Sequence, residues 1–491
     1  MSIWKRKPLA QLLAEAADSE KGLKRTLTAW TLIGLGIGAI IGAGLFVRTA
    51  MAASQNAGPS VTIAFVVAAI GCALAGLCYA ELSSSIPISG SAYTYTYATM
   101  GEFLAWIIGW DLILEYAVGA ATVGIAWSEY LNNLLVNVFH ISPIPYSLSH
   151  SPFQTEATTG VNGIINLPAL FIVAIISLLL IKGIQESAFV NSIIVIVKVA
   201  IVIIIIIIGW HFINPINHTP YIPPASIFTD EHGIDHHFGG FWGIIGAAGT
   251  VFFAFIGFDA VSTAAQETIN PKRTMPIGIL GSLAICTLLY ILFAHVLTGV
   301  ATVEDFRNGG KEASVAFAIN KYMIGYAWLG QLVTVAILAG FSSVILVMLL
   351  GQSRVFYAMG KDGLLPKVFS DLHPKYKTPF KANIAILIIV GAFAAFIPGD
   401  IVGDMTSIGT LFAFSLVCIS VIILRKKEPN MIREFKTPLV PLVPILGVVT
   451  CVLMMVGLGW TNWLRLFAWM AIGIFIYFTY GKKNSKLNNP E

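Results

Sequence analysis

Charge is the scarcest property of this sequence. Asp, Glu, Lys and Arg make up 11% of its 491 residues, where a soluble domain carries about 25%. An ordinary solvated surface is thereby excluded. Cysteine is scarce too. Cys72, Cys78, Cys286, Cys418 and Cys451 all fall in apolar stretches, which reads as small core residues and not as a disulfide framework or metal site. No apolar run precedes Ala29, and the charged start "MSIWKRKPLAQLLAEAADSEKGLKR" lacks the core of a cleavable signal peptide. It reads as a cytoplasmic tail, part of it an interfacial helix. No nucleophile–base pair, metal cluster or phosphate loop stands out. An enzyme is disfavoured, and no cofactor or nucleic-acid partner is implied.

What fills the sequence is apolar: 57% of residues, with mean hydropathy +0.82. Twelve spans are expected, at 29–53, 60–84, 103–133, 164–182, 188–210, 241–266, 276–301, 327–358, 382–397, 401–424, 438–458 and 463–480. Each is near or above the ~20 residues that cross a bilayer as a helix. Barrel strands would instead alternate over about 10 residues. The fold class is therefore all-α integral membrane. Lys and Arg set the orientation. With the N-terminus inside, Lys198 lies within a span and the other Lys and Arg fall on the cytoplasmic side, except Arg48, Arg307, Lys311, Lys321 and Arg465 on the outer side. Both termini are expected in the cytoplasm and the chain in the cell membrane.

Two spans contain residues that an uninterrupted helix would avoid. The first reads "GIGAIIGAGLF" from Gly36 to Phe46. Each interior glycine costs a helix roughly 1 kcal/mol relative to alanine. The sixth reads "GTVFFAFIGFDAVSTAAQE", with Gly257 and Asp259 in its middle. Lying five helices apart, the two enter the membrane from opposite sides. Paired broken helices in two halves are the mark of an inverted-repeat transporter with its site at the midplane. The expected organisation is a tail (1–28), a first repeat (29–210), an outer loop (211–240), a second repeat (241–424), two further helices (425–480) and a tail (481–491).

A break near Gly42–Gly44 exposes N–H groups that suit a carboxylate. The carbonyls before it, near Gly38–Ile41, suit an ammonium or small cation. The sixth helix repeats this with carbonyls of Phe252, Phe253 and Ile256 and N–H groups near Gly257. Together the breaks are shaped for both ends of an α-amino acid. Glycine hinges or close helix contacts would leave the same pattern.

These segments resemble the amino acid–polyamine–organocation superfamily, and most closely the bacterial relatives of cationic amino acid transporters. "IIGAGLF" (Ile40–Phe46) resembles the family's first-helix motif, and "FFAFIGFDAVSTAAQETINPKRTMPIGI" (Phe252–Ile279) its sixth helix and following loop. "GQSRVFYAMGKDGLLP" and "YAELSSSIPISGSAYTY" are similar to its eighth-helix exit and second-to-third connection. The resemblance implies a five-plus-five repeat and a bound amino acid. The carboxylate would meet the backbone of Ala43 and Gly44. The amino group would meet carbonyls of Ile40, Phe253 and Ile256, and Phe253 would gate the site. Many relatives carry a hydroxyl where this chain has Ala43, so only backbone is left there.

The fifth span holds one charge, Lys198, near its centre. A mid-membrane lysine costs about 2.5–3.5 kcal/mol and usually faces a functional interior. Desolvation disfavours an ammonium, which makes Lys198 a candidate proton carrier. Its expected partners are carbonyls of Gly38 and Ile41 and hydroxyls of Ser342 and Ser343. The resemblance points to proton-coupled relatives, where such a lysine replaces sodium. A permanently charged structural lysine is the alternative. In the third span, Asp111 and Glu115 are four apart and share a helical face. Glu115 could favour a basic substrate side chain, couple to Lys198, or brace helices. Asp259 is expected to brace its turn. "HGIDHH" in the outer loop is read as surface, not a metal site. The sequence thus points to a proton-coupled amino acid symporter working by alternating access. An amino acid or polyamine exchanger is the alternative, and a sensor or channel stands behind both.

Overall fold

The structure, a computed structural model, describes residues 3–8, 11–12, 27–86, 91–156, 159–183, 188–230, 233–310, 314–376 and 378–488. The interfacial helix expected in the tail falls largely outside them. In lipid every backbone N–H and C=O must pair within the chain, and the apolar stretches do so as helices. Among the described residues, eight helical runs are long and apolar enough to cross a membrane. Four apolar helices are shorter: Ala29–Ile40, Leu167–Ile181, Phe380–Phe396 and Leu442–Gly457. All twelve apolar stretches of the sequence are covered, with the first and second joined inside the run Gly44–Ser85.

Two boundaries moved for local reasons. The first stretch continues helically to Ala57 and ends where Gly58 takes φ 57°, a conformation that favours glycine. The seventh helix (Pro271–Val300) starts before position 276, with Pro271 in its first turn, where a missing N–H removes no helical bond.

Packing follows a simple rule. The second helix (Val61–Ser85) lies along the seventh, the third (Gly119–Asn137 in its second part) along the eighth (Ala327–Lys361), and the fourth (Leu167–Ile181) along the ninth (Phe380–Phe396). Each contact joins an element to the one five places on. The first and sixth meet in the same way, at their interruptions.

At one end of the bundle the two chain ends are stitched down. Lys7 pairs with Asp362 at 2.7 Å, and Tyr93 donates to the other oxygen of Asp362 at 2.7 Å. Glu102 receives Tyr97, Tyr477 and Asn488 at 2.9–3.0 Å, and Ser485 as well. At the opposite end a hairpin, Ser226–Thr229 paired with Asp235–Phe238, covers the end of the first segment. Gly239 N–H donates to Asn56 O at 2.6 Å. Arg307 sits between Phe228 and Phe238, 4.5 Å from each ring centre, and donates to Ser54 O at 2.9 Å.

One buried carboxylate ties three elements. Glu81 on the second helix accepts from Arg425 Nε at 3.0 Å and Nη2 at 2.7 Å, and from the Thr437 N–H at 2.7 Å. Arg433 lies 3.3 Å away. Removing one partner of such a group strands the others without a counter-charge. We expect Glu81→Ala to lower stability by on the order of 3–5 kcal/mol, seen as an earlier thermal transition in detergent. A transition matching that of the unaltered protein would mean the cluster adds nothing.

Candidate functional site

The first helix stops where its sequence loosens. The α-helix Ala29–Ile40 ends with Ile41 in an extended conformation, φ −72° and ψ 103°. Helix resumes at Gly44 as a π-type turn, Gly44–Arg48. Gly42, Ala43 and Gly44 thus stand at the start of a new helix, where N–H groups lack helical acceptors. The sixth segment breaks likewise. Its α-helix (Gly240–Phe252) tightens to a 3₁₀ turn, Phe253–Phe255. Ile256 is then extended with ψ 136°, Gly257 takes φ 111°, and a 3₁₀ helix follows at Asp259–Glu267.

The two breaks dock on each other through their glycines. A side-chain carbon added at Gly44 would come within 2.2 Å of Ala254 Cα. One added at Gly257 would come within 3.0 Å of Ala39 O. The glycine of each break therefore faces an alanine of the other, a reciprocal contact that brings backbone against backbone. Tyr290 of the seventh helix spans both strands of this junction. Its hydroxyl lies 2.9 Å from Ile40 O and 3.0 Å from Ala254 O. Sequence reasoning missed Tyr290. It looks like any aromatic in an apolar helix, and only its hydroxyl hinted otherwise.

Phe253 is buried beside this junction, with the Arg48 guanidinium over its ring at 5.9 Å. Arg48 was counted from sequence among the outer cations. The structure buries it, 1% exposed, in an ion pair with Asp404 of the tenth helix (Gly399–Lys427). Its position inside the expected span 29–53 was the available signal. Phe253 and the Arg48–Asp404 pair thus form successive layers between the break and the hairpin end.

Lys198, 3% exposed, reaches the first break as expected. Its ammonium donates to Gly38 O at 2.8 Å. Its stem passes over Gly340 of the eighth helix, whose added carbon would lie 2.8 Å from Lys198 Cε. Ser342 turns back on its own helix, donating to Leu338 O at 2.9 Å, a habit of helical serines. Ser343 is buried on the same helix.

Glu115 sits in a π-type turn, Ile113–Val118, a feature frequent at functional sites. It is fully buried and its carboxyl faces that of Asp259. Tyr116 donates to Asp259 Oδ2, and the Asp259 carboxylate also accepts N–H groups at the start of its own helix. This is the bracing role expected for Asp259. Among the described residues neither oxygen of Glu115 nor Asp259 Oδ1 has a donor. Asp111 points elsewhere, its Oδ1 close to Gly409 of the tenth helix. The π-turn between them alters the α-helical register that would stack 111 under 115.

The histidine-bearing loop folds into the hairpin, where His236 pairs with Asp230 at 2.8 Å. His232 lies outside the described residues. Among the described ones no group of three or more His, Cys, Asp or Glu is arranged to hold a metal.

Comparison with known proteins sets this geometry in a family. Residues 27–480 match a family model described as amino acid permease. The chain is similar to the branched-chain amino acid permease BcaP of Bacillus subtilis, 43% identical over 99% of both chains. It is 40% identical to the methylthioribose transporter of Bacillus subtilis, again over 99% of both. It is 32% identical to the vacuolar cationic amino acid transporter 4 of Arabidopsis thaliana, over 87% of this chain and 68% of that one. Broken helices docked glycine to backbone, a lysine on the first break and a match running almost end to end agree on one assignment: the chain belongs to the amino acid permease family of the amino acid–polyamine–organocation superfamily.

Proposed function

We propose that this protein is a proton-coupled secondary transporter of small apolar amino acids, working by alternating access. The observation that carries the reading is the junction of the two breaks, with Lys198 bonded to Gly38 O at its edge. The pairing of the first four helices with the sixth to ninth supports a five-plus-five inverted repeat. The stitched end, with its excess of Lys and Arg, is cytoplasmic by the positive-inside rule. The hairpin end faces outward from the cell membrane. Ala43 and Gly44 N–H groups receive the substrate carboxylate, and carbonyls of Ile40, Phe253 and Ile256 receive its ammonium. Because Tyr290 already engages Ile40 O, substrate arrival shifts that hydroxyl towards Ala254 O.

An apolar side chain fits better than a basic one. Val344 lies against Gly42, and Met348 and Thr406 against Gly119. The nearby acid, Glu115, is turned to Asp259. The likeness to a branched-chain amino acid permease runs the same way. The test is uptake of L-[14C]leucine into proteoliposomes under an inward proton gradient. L-valine and L-isoleucine should compete strongly, L-arginine and methylthioribose weakly. Dominant competition by arginine or methylthioribose would replace the substrate class. Accumulation indifferent to the proton gradient, with efflux accelerated by external substrate, would establish an exchanger instead.

Lys198 holds the first helix to the fifth most firmly while protonated, because an ammonium makes a charge-assisted bond to Gly38 O that the neutral amine makes only weakly. Release of that proton inward frees the two sides to part. Coupling then follows from a proton affinity that differs between the two states. Lys198→Ala should abolish accumulation under the gradient. Lys198→Arg, which cannot deprotonate, should bind substrate yet fail to concentrate it. If Lys198→Ala accumulates leucine as the unaltered protein does, the proton travels by another route.

The Glu115–Asp259 pair supplies such a route. Two carboxylates in contact away from water cannot both be ionised without large cost, so the pair shares a proton. Glu115→Gln should depress transport of leucine and arginine alike. A loss confined to arginine would instead show Glu115 reading the substrate side chain.

A further inference from the structure

A further feature lies between the break and the hairpin end. A cavity of about 60 Å³ opens there, with Ala43 on its wall and Arg48, Glu129, Ile125, Met51 and Gln154 around it. At roughly 10–15 Å³ per water it has room for four to six waters, about the number of heavy atoms in a small amino acid's head. Its chemistry is asymmetric. Arg48 gives one nitrogen to Asp404, but its Nε–H has no acceptor among the described residues. Its Nη1 has only the Met51 thioether at 3.0 Å and Asp400 O at 3.5 Å. A guanidinium carries five N–H donors, so this one has capacity to spare beside the cavity. Glu129 lines the same cavity, with His150 Nε2 3.6 Å behind it. Met51, Ile125 and Ala126 make an apolar wall.

We propose that this cavity is a capture site for a zwitterionic α-amino acid before it reaches the breaks. The carboxylate takes the unused Arg48 donors, the ammonium takes Glu129, and the side chain lies on the apolar wall. Ala43 is shared by the cavity and the break, so substrate moves inward without returning to water. Arg48 keeps its bond to Asp404 during capture, since the donors used are others. The proposal rests on the reading of the chain as an amino acid transporter, and deepens it by giving the hairpin-end face a capture site of its own.

The experiment compares right-side-out with inside-out membrane vesicles, using L-[14C]leucine as probe. Saturable uptake by the unaltered protein in both preparations establishes transport, and its absence from both overturns that reading rather than this one. Glu129→Gln should raise KM about tenfold, a loss of one charge contact, in one preparation only, and leave the maximal rate in both. Glu129→Asp should restore most of that loss, which a merely structural role would not show. Ile125→Trp, filling the cavity without touching charge, should raise KM on the same face. An unchanged KM for Glu129→Gln, or an equal rise from both faces, would overturn the capture site.

Discussion

The rest of the structure depends on one contact: two interrupted helices pressed backbone to backbone in the middle of the bundle. Breaking a helix in lipid leaves N–H and C=O groups without partners, a cost of several kcal/mol for each. Two helices share that problem here by meeting at their gaps. Gly44 admits Ala254, Gly257 admits Ala39, and Tyr290 stitches a carbonyl on each side. The surrounding helices have to hold this junction closed, and their pairing at intervals of five does so from both sides. The groups the junction leaves unpaired are those the proposed substrate would meet.

Polar groups elsewhere in the core fall into two kinds. Glu81 is fully compensated, by two arginines and a backbone N–H, and serves as an anchor. Glu115, Asp259 and Arg48 are compensated in part. Each has one firm partner or neighbour and an opening in its bonding. Fully met charges fix a fold, whereas partly met ones can exchange partners at small cost. The partly met ones line up along the interruptions, from the π-turn of the third helix to the ion pair with the tenth. That alignment places the adjustable electrostatics of the protein along its transport axis.

Much of this was legible in the sequence, for identifiable reasons. Apolar length gave the helices, and glycine in the midst of a span gave the breaks, because both carry large penalties unless used. Lys198 was legible because a lone ammonium in a span must have an acceptor, and Gly38 was among those named. What escaped was the partner choice of residues with ordinary identities. Ala39 and Ala254 look like any alanine, and their role exists only across the junction. The direction of Glu115 escaped because a π-turn is not written in hydrophobic periodicity. Ser342 was drawn into the lysine's shell by position, but its own helix offers the hydroxyl a nearer carbonyl. The hairpin in the outer loop 211–240 went unnoticed because its two strands are four residues each, too short to show alternation.

The stitched end has a bearing on how the chain comes to be folded. Lys5 Nζ donates to Leu487 O at 2.5 Å, across 482 positions of sequence. Residues 3–8 are also bonded to the start of the third helix, where Phe103 N–H reaches Ile3 O at 3.0 Å. Helices that insert one after another can satisfy their own backbones as they leave the ribosome. This suture cannot be made until residue 487 has been synthesised, long after residue 5 has met the membrane. Contacts so distant in sequence are the slow ones to form. Local order is therefore complete long before global order, and the early segment must wait beside a half-built bundle. The bond between residues 5 and 487 is thus one that helix formation alone cannot supply.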